Sequence, residues 1–148
     1  PYNLFVATFI GKSNLIHAEL VCQGDSCRVR FANGYSEEMP DVAPACRKDR
    51  EIVLSARPEE LLVHTDLTGE GVSAVIKDSV FLGLNTHYFV EMETGEQAEI
   101  IQESRIDSIL NPGTRVRLTL NAVKANAFDR ESGRSLMRGV HNELEVDA

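Results

Sequence analysis

The triplet Gly11-Lys12-Ser13 is the first candidate for chemistry, because it matches the end of the loop that wraps nucleotide phosphates. The complete loop needs another glycine five residues before Gly11, so that backbone N–H groups can surround the phosphates, and it needs a strand ahead of it. Val6 occupies that position, within an apolar segment that begins at Asn3 and is typical of a short helix. The triplet therefore predicts a helix ending at a glycine, and we expect no cofactor to bind to this chain.

The histidines and carboxylates show no spacing typical of a metal site or of a catalytic pair. Zinc-binding helices place two histidines four residues apart, whereas the histidines here are scattered. They are His17, His64, His87 and His141. A nucleophile elbow of the type Gly-x-Ser-x-Gly is also missing. The sequence therefore predicts no catalytic and no metal-binding residues, and no enzymatic activity of the chain by itself.

Three cysteines occur, Cys22, Cys27 and Cys46. An odd number without a dense framework of cysteines favours reduced thiols in a cytosolic setting. Cys22 and Cys27 flank a Gly-Asp turn and could be close in space. Because free cysteine commonly fills apolar positions, we expect all three in buried or half-buried positions of strands.

The composition is that of a soluble globular protein of 148 residues, with 43% hydrophobic and 26% charged residues. Acidic residues outnumber basic ones by 23 to 15, which gives a net charge of −8. This charge opposes non-specific binding to phosphate backbones, and the absence of tryptophan weakens the case for base stacking. We therefore expect no nucleic acid among the partners.

Short apolar runs with turn signals between them predict an all-β chain. Residues 26–31 alternate apolar and polar side chains, as a half-buried strand does, and Asn33-Gly34 supplies a tight turn. Helical crossovers are missing, which favours a small barrel or sandwich. The predicted strands are 14–21, 26–31, 51–56, 61–63, 71–77, 86–93, 97–102, 114–121 and 123–128. Residues 35–50 are predicted to be a surface loop, and 103–110 a brief helix.

The strands fall into two series separated near Asp66–Glu70, which predicts an internal duplication. We expect small OB-like barrels built from two similar halves, with a short helix at the N-terminus. The predicted parts are a linker helix over 1–13, a first barrel half over 14–68, a second half over 69–138 and a polar tail over 139–148.

The corner Arg57-Pro58-Glu59 follows a buried-looking strand directly. Proline favours the first turn of a helix or the second position of a β-turn. We therefore expect a structural role, in which Pro58 fixes the turn and Arg57 pairs with a carboxylate or with backbone carbonyls.

Several segments together resemble the C-terminal regulatory half of maltose-, polyamine- and iron-type ABC-importer ATPases. Ser55–Leu61 is similar to their hydrophobic-Arg-Pro-Glu-acidic-Leu signature, and 3–11 followed by Asn14 resembles the link after their nucleotide-binding domain. The family's later barrel strands are similar to five further segments of this chain: 71–75, 81–83, 88–90, 112–120 and 127–133. The family's domain is called TOBE, a transport-associated OB-like barrel, and the polyamine and ferric-iron branch is the most similar.

This resemblance implies a regulatory and dimer-stabilising module of an ATP-binding transport subunit. ATP and Mg²⁺ would bind in a nucleotide-binding domain outside this chain. The implied partners are that domain, a second copy of the subunit and the transmembrane permease subunits, on the cytoplasmic face of the cell membrane. Two alternatives stay open: a small-oxyanion (molybdate-like) barrel with Ser73, Lys77 and Ser79 as donors, and an OB-fold binder of nucleic acid, which the charge opposes.

Overall fold

The computed structural model describes residues 13–105 and 109–138, and this part of the chain is almost entirely β-structure. Its strands are β1 Asn14–Gln23, β2 Ser26–Arg30, β3 Ser36–Glu38, β4 Arg50–Ala56, β5 Leu61–His64, β6 Val72–Phe81, β7 Asn85–Met92, β8 Gln97–Glu103, β9 Arg115–Leu120 and β10 Asn126–Asp129. Two single 3₁₀ turns cover Pro44–Cys46 and Pro58–Glu60. The predicted all-β class is confirmed.

Three predicted elements fall wholly or partly outside the described residues. They are the short N-terminal helix, the polar tail over 139–148 and the middle of the helix predicted over 103–110. The described ends of that last segment are the final residue of β8 and irregular backbone. Among the described residues, no helix is long and apolar enough to cross a membrane.

The strands form where side chains alternate between the core and solvent. In β2, Cys27 and Val29 are buried between exposed neighbours, and in β9 Val116, Leu118 and Leu120 are buried. A period of two residues places every second side chain on one face of a strand. The alternation predicted for both segments is therefore what the structure has.

Two five-stranded sheets have the same plan. Their strand orders are β10-β4-β1-β2-β3 and β5-β9-β6-β7-β8, with antiparallel neighbours throughout. The long strands β1 and β6, of ten residues each, lie at the centre of their sheets. Position by position, β1–β4 of the first sheet correspond to β6–β9 of the second. The two similar halves expected from the sequence are present as this repeated order.

The fifth strand of each series lies in the sheet of the other series. β5 follows β4 in the chain but pairs with β9, and β10 follows β9 but pairs with β4. The chain accordingly divides into two compact units. The first contains the described residues up to Ala56 and from Ala122 onward, and the second contains Arg57–Asn121.

This partition differs from the predicted halves, 14–68 and 69–138. Those halves separate the chain at one point, whereas the structure crosses between units twice, after Ala56 and after Asn121. The physical reason is strand pairing: Leu61 lies opposite Leu120 in the second sheet, and Phe128 lies opposite Val53 in the first.

The segment around Leu136 forms backbone hydrogen bonds to two other parts of the first unit. Leu136 donates its N–H to the carbonyl of Ala127 at 2.9 Å and accepts from the N–H of Ala43 at 2.8 Å. Met39 and Val42 are only 1% exposed. The prediction of a surface loop over 35–50 is therefore wrong in part, because this stretch contains β3 and three core side chains, Tyr35, Met39 and Val42.

The second unit has its own core under β6, β7, β8 and β9, with Ile76, Val90, Ile100 and Leu118 fully buried. A bulge interrupts β6 between Ile76 and Asp78. The sheet nearly closes, because the edge strands β5 and β8 approach each other.

Cys22 and Cys27 form a disulfide. They lie directly opposite each other on β1 and β2, with Cα atoms 4.0 Å apart, because only Gly24 and Asp25 separate the two strands. The expectation of reduced thiols is wrong for this pair. Cys46 is a half-buried free cysteine.

Candidate functional site

The corner after β4 is held by a reciprocal pair of hydrogen bonds. The N–H of Arg57 donates to Glu60 Oε1 at 2.9 Å, and the N–H of Glu60 donates to the carbonyl of Arg57 at 2.8 Å. Pro58 occupies the first position of the 3₁₀ turn, where its missing N–H costs nothing. The carbonyl of Glu60 also accepts from the N–H of Asn121 at 2.8 Å, which ties the corner to the end of β9.

The buried carboxylate of this corner is Glu60, a residue that sequence reasoning missed. Glu60 is 5% exposed and Pro58 is buried, whereas Arg57 and Glu59 are exposed. A glutamate three residues after the first residue of a turn is the signal that could have found it, because its side chain can reach back to that residue's N–H. The structural role predicted for Arg57, Pro58 and Glu59 stays a prediction.

The structure does not bring the three oxyanion candidates together. Ser73 and Lys77 line a cavity of about 320 Å³ with Arg115, but Ser79 is not among its lining residues. Two carboxylates line the same cavity, which is why it is poorly suited to an anion. One of them, Glu93, accepts the N–H of Ser73 at 3.1 Å.

The other carboxylate of this cavity, Glu91, lies 3.5 Å from Lys77 Nζ. An anion would have to displace Glu91 from the lysine and would then lie close to its negative charge. Electrostatics therefore does not favour the oxyanion alternative at this position.

Arg117 holds the loop that connects β5 to β6. Its Nε donates to the carbonyl of Asp66 at 2.8 Å, and its Nη1 donates to the carbonyl of Glu70 at 2.6 Å. Gly71 adopts φ +147°, and a Cβ there would lie 2.6 Å from Arg117 Cγ and 2.6 Å from the carbonyl oxygen of Leu118. This close approach and the left-handed φ explain why glycine occupies the position.

His64 and Asp66 lie near this arginine. His64 Nε2 is 2.8 Å from Thr119 Oγ1, and the pKa of His64 is lowered by burial and then by the positive charge of Arg117. The pKa of Asp66 is lowered by hydrogen bonds from the hydroxyl and the N–H of Thr68. The His64 ring and the Asp66 carboxylate are therefore both engaged by residues of their own loop and of β9.

Ion pairs connect β10 and its turn to the rest of the first unit. Arg50 Nη1 lies 3.2 Å from Asp129 Oδ2, and Arg130 Nη1 lies 2.8 Å from Glu51 Oε1. The pKa of Asp129 is lowered first by the N–H of Ser132, and also by the N–H of Glu131 and by Arg50. The polar groups around β10 therefore hold the exchanged strand in its sheet.

The described histidines do not meet. His87 Nδ1 is bonded to Glu99 Oε2 at 2.9 Å on the second sheet, whereas His17 lies on β1. His141 lies outside the described residues. In residues 13–105 and 109–138, no three His, Cys, Asp or Glu side chains are placed to hold a metal ion.

Comparison with known proteins identifies the family. The model of the TOBE domain matches residues 54–128, which is just over half of the chain. The chain belongs to the TOBE domain family. The matched range contains the whole second unit and all but the last residue of β10, so the family's pattern runs across the exchange of strands.

The curated relatives of this TOBE protein are ATP-binding proteins of importers. It is 42% identical over 147 residues to the Fe(3+) ions import ATP-binding protein FbpC of Fusobacterium nucleatum, covering 97% of this chain and 37% of the relative. It is 29% identical over 100 residues to the spermidine/putrescine import ATP-binding protein PotA of Thermotoga maritima, covering 64% of this chain and 27% of that relative. The chain thus spans about a third of these relatives, and the resemblance inferred from its motifs is confirmed.

A solved structure has a similar fold. The cytoplasmic molybdate-binding protein ModG superposes with a TM-score of 0.61, covering 77% of this chain and 94% of ModG. Its sequence is only 13% identical, so the likeness concerns the fold alone.

Proposed function

We propose that this TOBE protein is the regulatory and dimer-stabilising domain of an ABC-importer ATP-binding subunit. The observation that carries the proposal is its 42% identity, over 97% of its length, to an iron-import ATP-binding protein. Relatives named for iron and for spermidine or putrescine import both match, so the solute we propose is a ferric ion or a polyamine.

The proposed role needs no chemistry from this chain itself. The arginines that cross between strands bind backbone carbonyls or carboxylates, as Arg117 and Arg130 do. ATP and Mg²⁺ would bind to the nucleotide-binding domain of the longer protein, which supplies the hydrolysis. We do not propose a nucleic-acid partner, because a net charge of −8 opposes binding to phosphate backbones.

A domain of this kind acts through proximity. Two ATP-binding subunits must meet to complete their ATP sites, and a barrel on each keeps the pair together while the nucleotide domains separate. Linking contacts in this way raises the effective local concentration without new catalytic groups. The partners we propose are a second copy of the subunit, the nucleotide-binding domain of the longer protein and the permease subunits, at the inner face of the cell membrane.

The test uses the iron-import relative in three versions: intact, without the region that matches this chain, and with this chain in place of that region. Iron uptake, ATPase rate and subunit association are measured for each. We expect the deletion to weaken association or to change the ATPase rate, and the replacement to restore both.

The proposal fails if the version carrying this chain behaves like the deletion in all three measurements. It also fails if the deletion leaves uptake, ATPase rate and association unchanged, because no regulatory function would then remain to assign.

A further inference from the structure

The hairpin between β6 and β7 exposes a continuous apolar run, Val80–Leu84. The turn is closed by the N–H of Leu82, which donates to the carbonyl of Asn85 at 2.8 Å, and Gly83 has the left-handed φ of +83° that such a turn requires. Leu84 is 86% exposed and Leu82 is 58% exposed. Consecutive exposed apolar residues are unusual on a folded surface and typically mark a contact site.

Strand register places further apolar side chains on the same side of the sheet. Val80 lies opposite His87, which lies opposite Ile101 on β8, and Phe89 is two residues from His87 on β7. Residues directly opposite one another, or two apart on one strand, share a face. We name these three apolar residues, Val80, Phe89 and Ile101, together with the exposed turn residues Leu82 and Leu84, the hairpin face.

The side chains of the hairpin face are not part of the core of the second unit. The opposite face of the same strands carries Ile76, Val90 and Ile100, which are fully buried. Val80 and Phe89 are each more than a third exposed, although both belong to paired strands. Their exposure therefore leaves an apolar surface on the outside of a sheet whose inside is already filled.

Charges around the hairpin face are mostly negative. Register places Asp78 and Glu99 on either side of Phe89, and Glu103 opposite Asn85. Glu91 is also on this face of β7, and Lys77 is 3.5 Å from it. Arg115 lies opposite Val75 on the same face of the sheet, so four carboxylates lie near the apolar surface against two basic side chains, Lys77 and Arg115.

We propose that the hairpin face binds a protein segment whose apolar side chains are accompanied by lysine or arginine. An apolar centre with a charged rim is the usual anatomy of an interface, and complementary charge selects the partner. A second copy of this chain would bring carboxylates against carboxylates, and an anionic lipid surface would meet the same repulsion. The proposal rests on the surface alone and does not depend on the regulatory role.

The experiment uses the 148-residue chain and two amphipathic helical peptides of equal length and identical leucine face. One peptide carries lysine on its polar face and the other carries glutamate, and binding is measured by fluorescence anisotropy. We expect the lysine peptide to bind and the glutamate peptide not to bind. The affinity should fall several-fold between about 0.05 M and 0.3 M salt, because screening weakens charge pairs near the surface.

Variants separate this face from the general acidity of the protein. Leu82→Ser and Leu84→Ser should each weaken binding of the lysine peptide about tenfold, as loss of a central apolar anchor does. Leu67→Ser is the matched control, because Leu67 is 55% exposed but lies in the loop after β5. Glu103→Gln should weaken binding, whereas Glu59→Gln, at the exposed corner, should not.

Four results would overturn the proposal. The lysine peptide fails to bind, or both peptides bind equally, or the face variants and their controls lose affinity equally. The fourth is that the protein binds vesicles of phosphatidylcholine and phosphatidylglycerol in preference to the lysine peptide. Sedimentation velocity adds a fifth: a dimer that is lost in Leu84→Ser would assign the face to a second copy. Circular dichroism of each variant checks that the fold is kept.

Discussion

Replacing Phe128 by alanine tests the exchange of strands between the two units. Phe128 lies on β10, opposite Val53 on β4, and its side chain is fully buried in the first unit. In the chain, however, Phe128 follows all five strands of the second unit. If the two halves were duplicated without an exchange of strands, Phe128→Ala would destabilise the second unit.

The expected magnitude follows from burial. Truncating a fully buried phenylalanine to alanine typically costs about 3–5 kcal/mol, from lost transfer free energy and from the cavity that remains. Hydrogen exchange that proceeds through opening of the first unit should then accelerate by roughly two to three and a half orders of magnitude. The measurement is residue-resolved amide exchange, and the acceleration is expected in β1 and β4.

Leu118→Ala is the matched control, because Leu118 is buried on β9 in the second unit. It should accelerate exchange in β6 and β7. Faster exchange in β6 and β7 but not in β1 and β4 for Phe128→Ala would refute the assignment of β10 to the first sheet. Identical patterns for both variants would refute the idea of two separate cores.

Three further predictions concern boundaries, the corner and pH. A fragment of residues 57–121 contains all five strands of the second unit and should unfold cooperatively on heating. A fragment of residues 69–138 lacks β5 and also β4, the partner of β10, so it should unfold at a lower temperature or without cooperativity. Glu60→Ala should destabilise the protein by about 1–3 kcal/mol in urea titrations, because a backbone N–H loses its buried acceptor, and Glu59→Ala, at an exposed position, should change stability by less than about 0.5 kcal/mol. The pKa of His64 is lowered in the folded state, so the unfolded chain protonates this histidine more readily than the folded one does. The free energy of unfolding should therefore fall as the pH drops below about 6.5, where His64 of the unfolded chain takes up its proton. His64→Gln should flatten the plot of the free energy of unfolding against pH below about 6.5. An unchanged slope would contradict the assignment of this pH dependence to His64.

The local elements could largely be predicted, because alternation is visible within a few residues. Residues 26–30 and 115–120 show it clearly, and both are strands. Strand β3 is only three residues long with no buried side chain, so no local pattern marked it. The short turn between Cys22 and Cys27 indicates that they lie close together, but an odd number of cysteines does not reveal whether one pair among them is oxidised.

Pairing between distant strands could not be predicted, because a pattern of apolar residues does not name its partner. Leu61-Leu62-Val63 is a recognisable strand, but its place beside β9 depends on residues more than fifty positions away. The same limit applied to the oxyanion candidates. Ser73 and Lys77 are close in sequence, but Glu91 and Glu93 come beside them only through the register of β6 and β7.

The exchange of strands also sets an order of events during synthesis. A ribosome makes β1–β4 first, yet the first sheet lacks its edge strand until β10 has emerged, seventy residues after the end of β4. The second sheet has all its strands once Leu120 has left the ribosome. Because domains generally fold as units while the chain is made, the unit that begins first is completed last, and its unpaired β4 edge stays open until then.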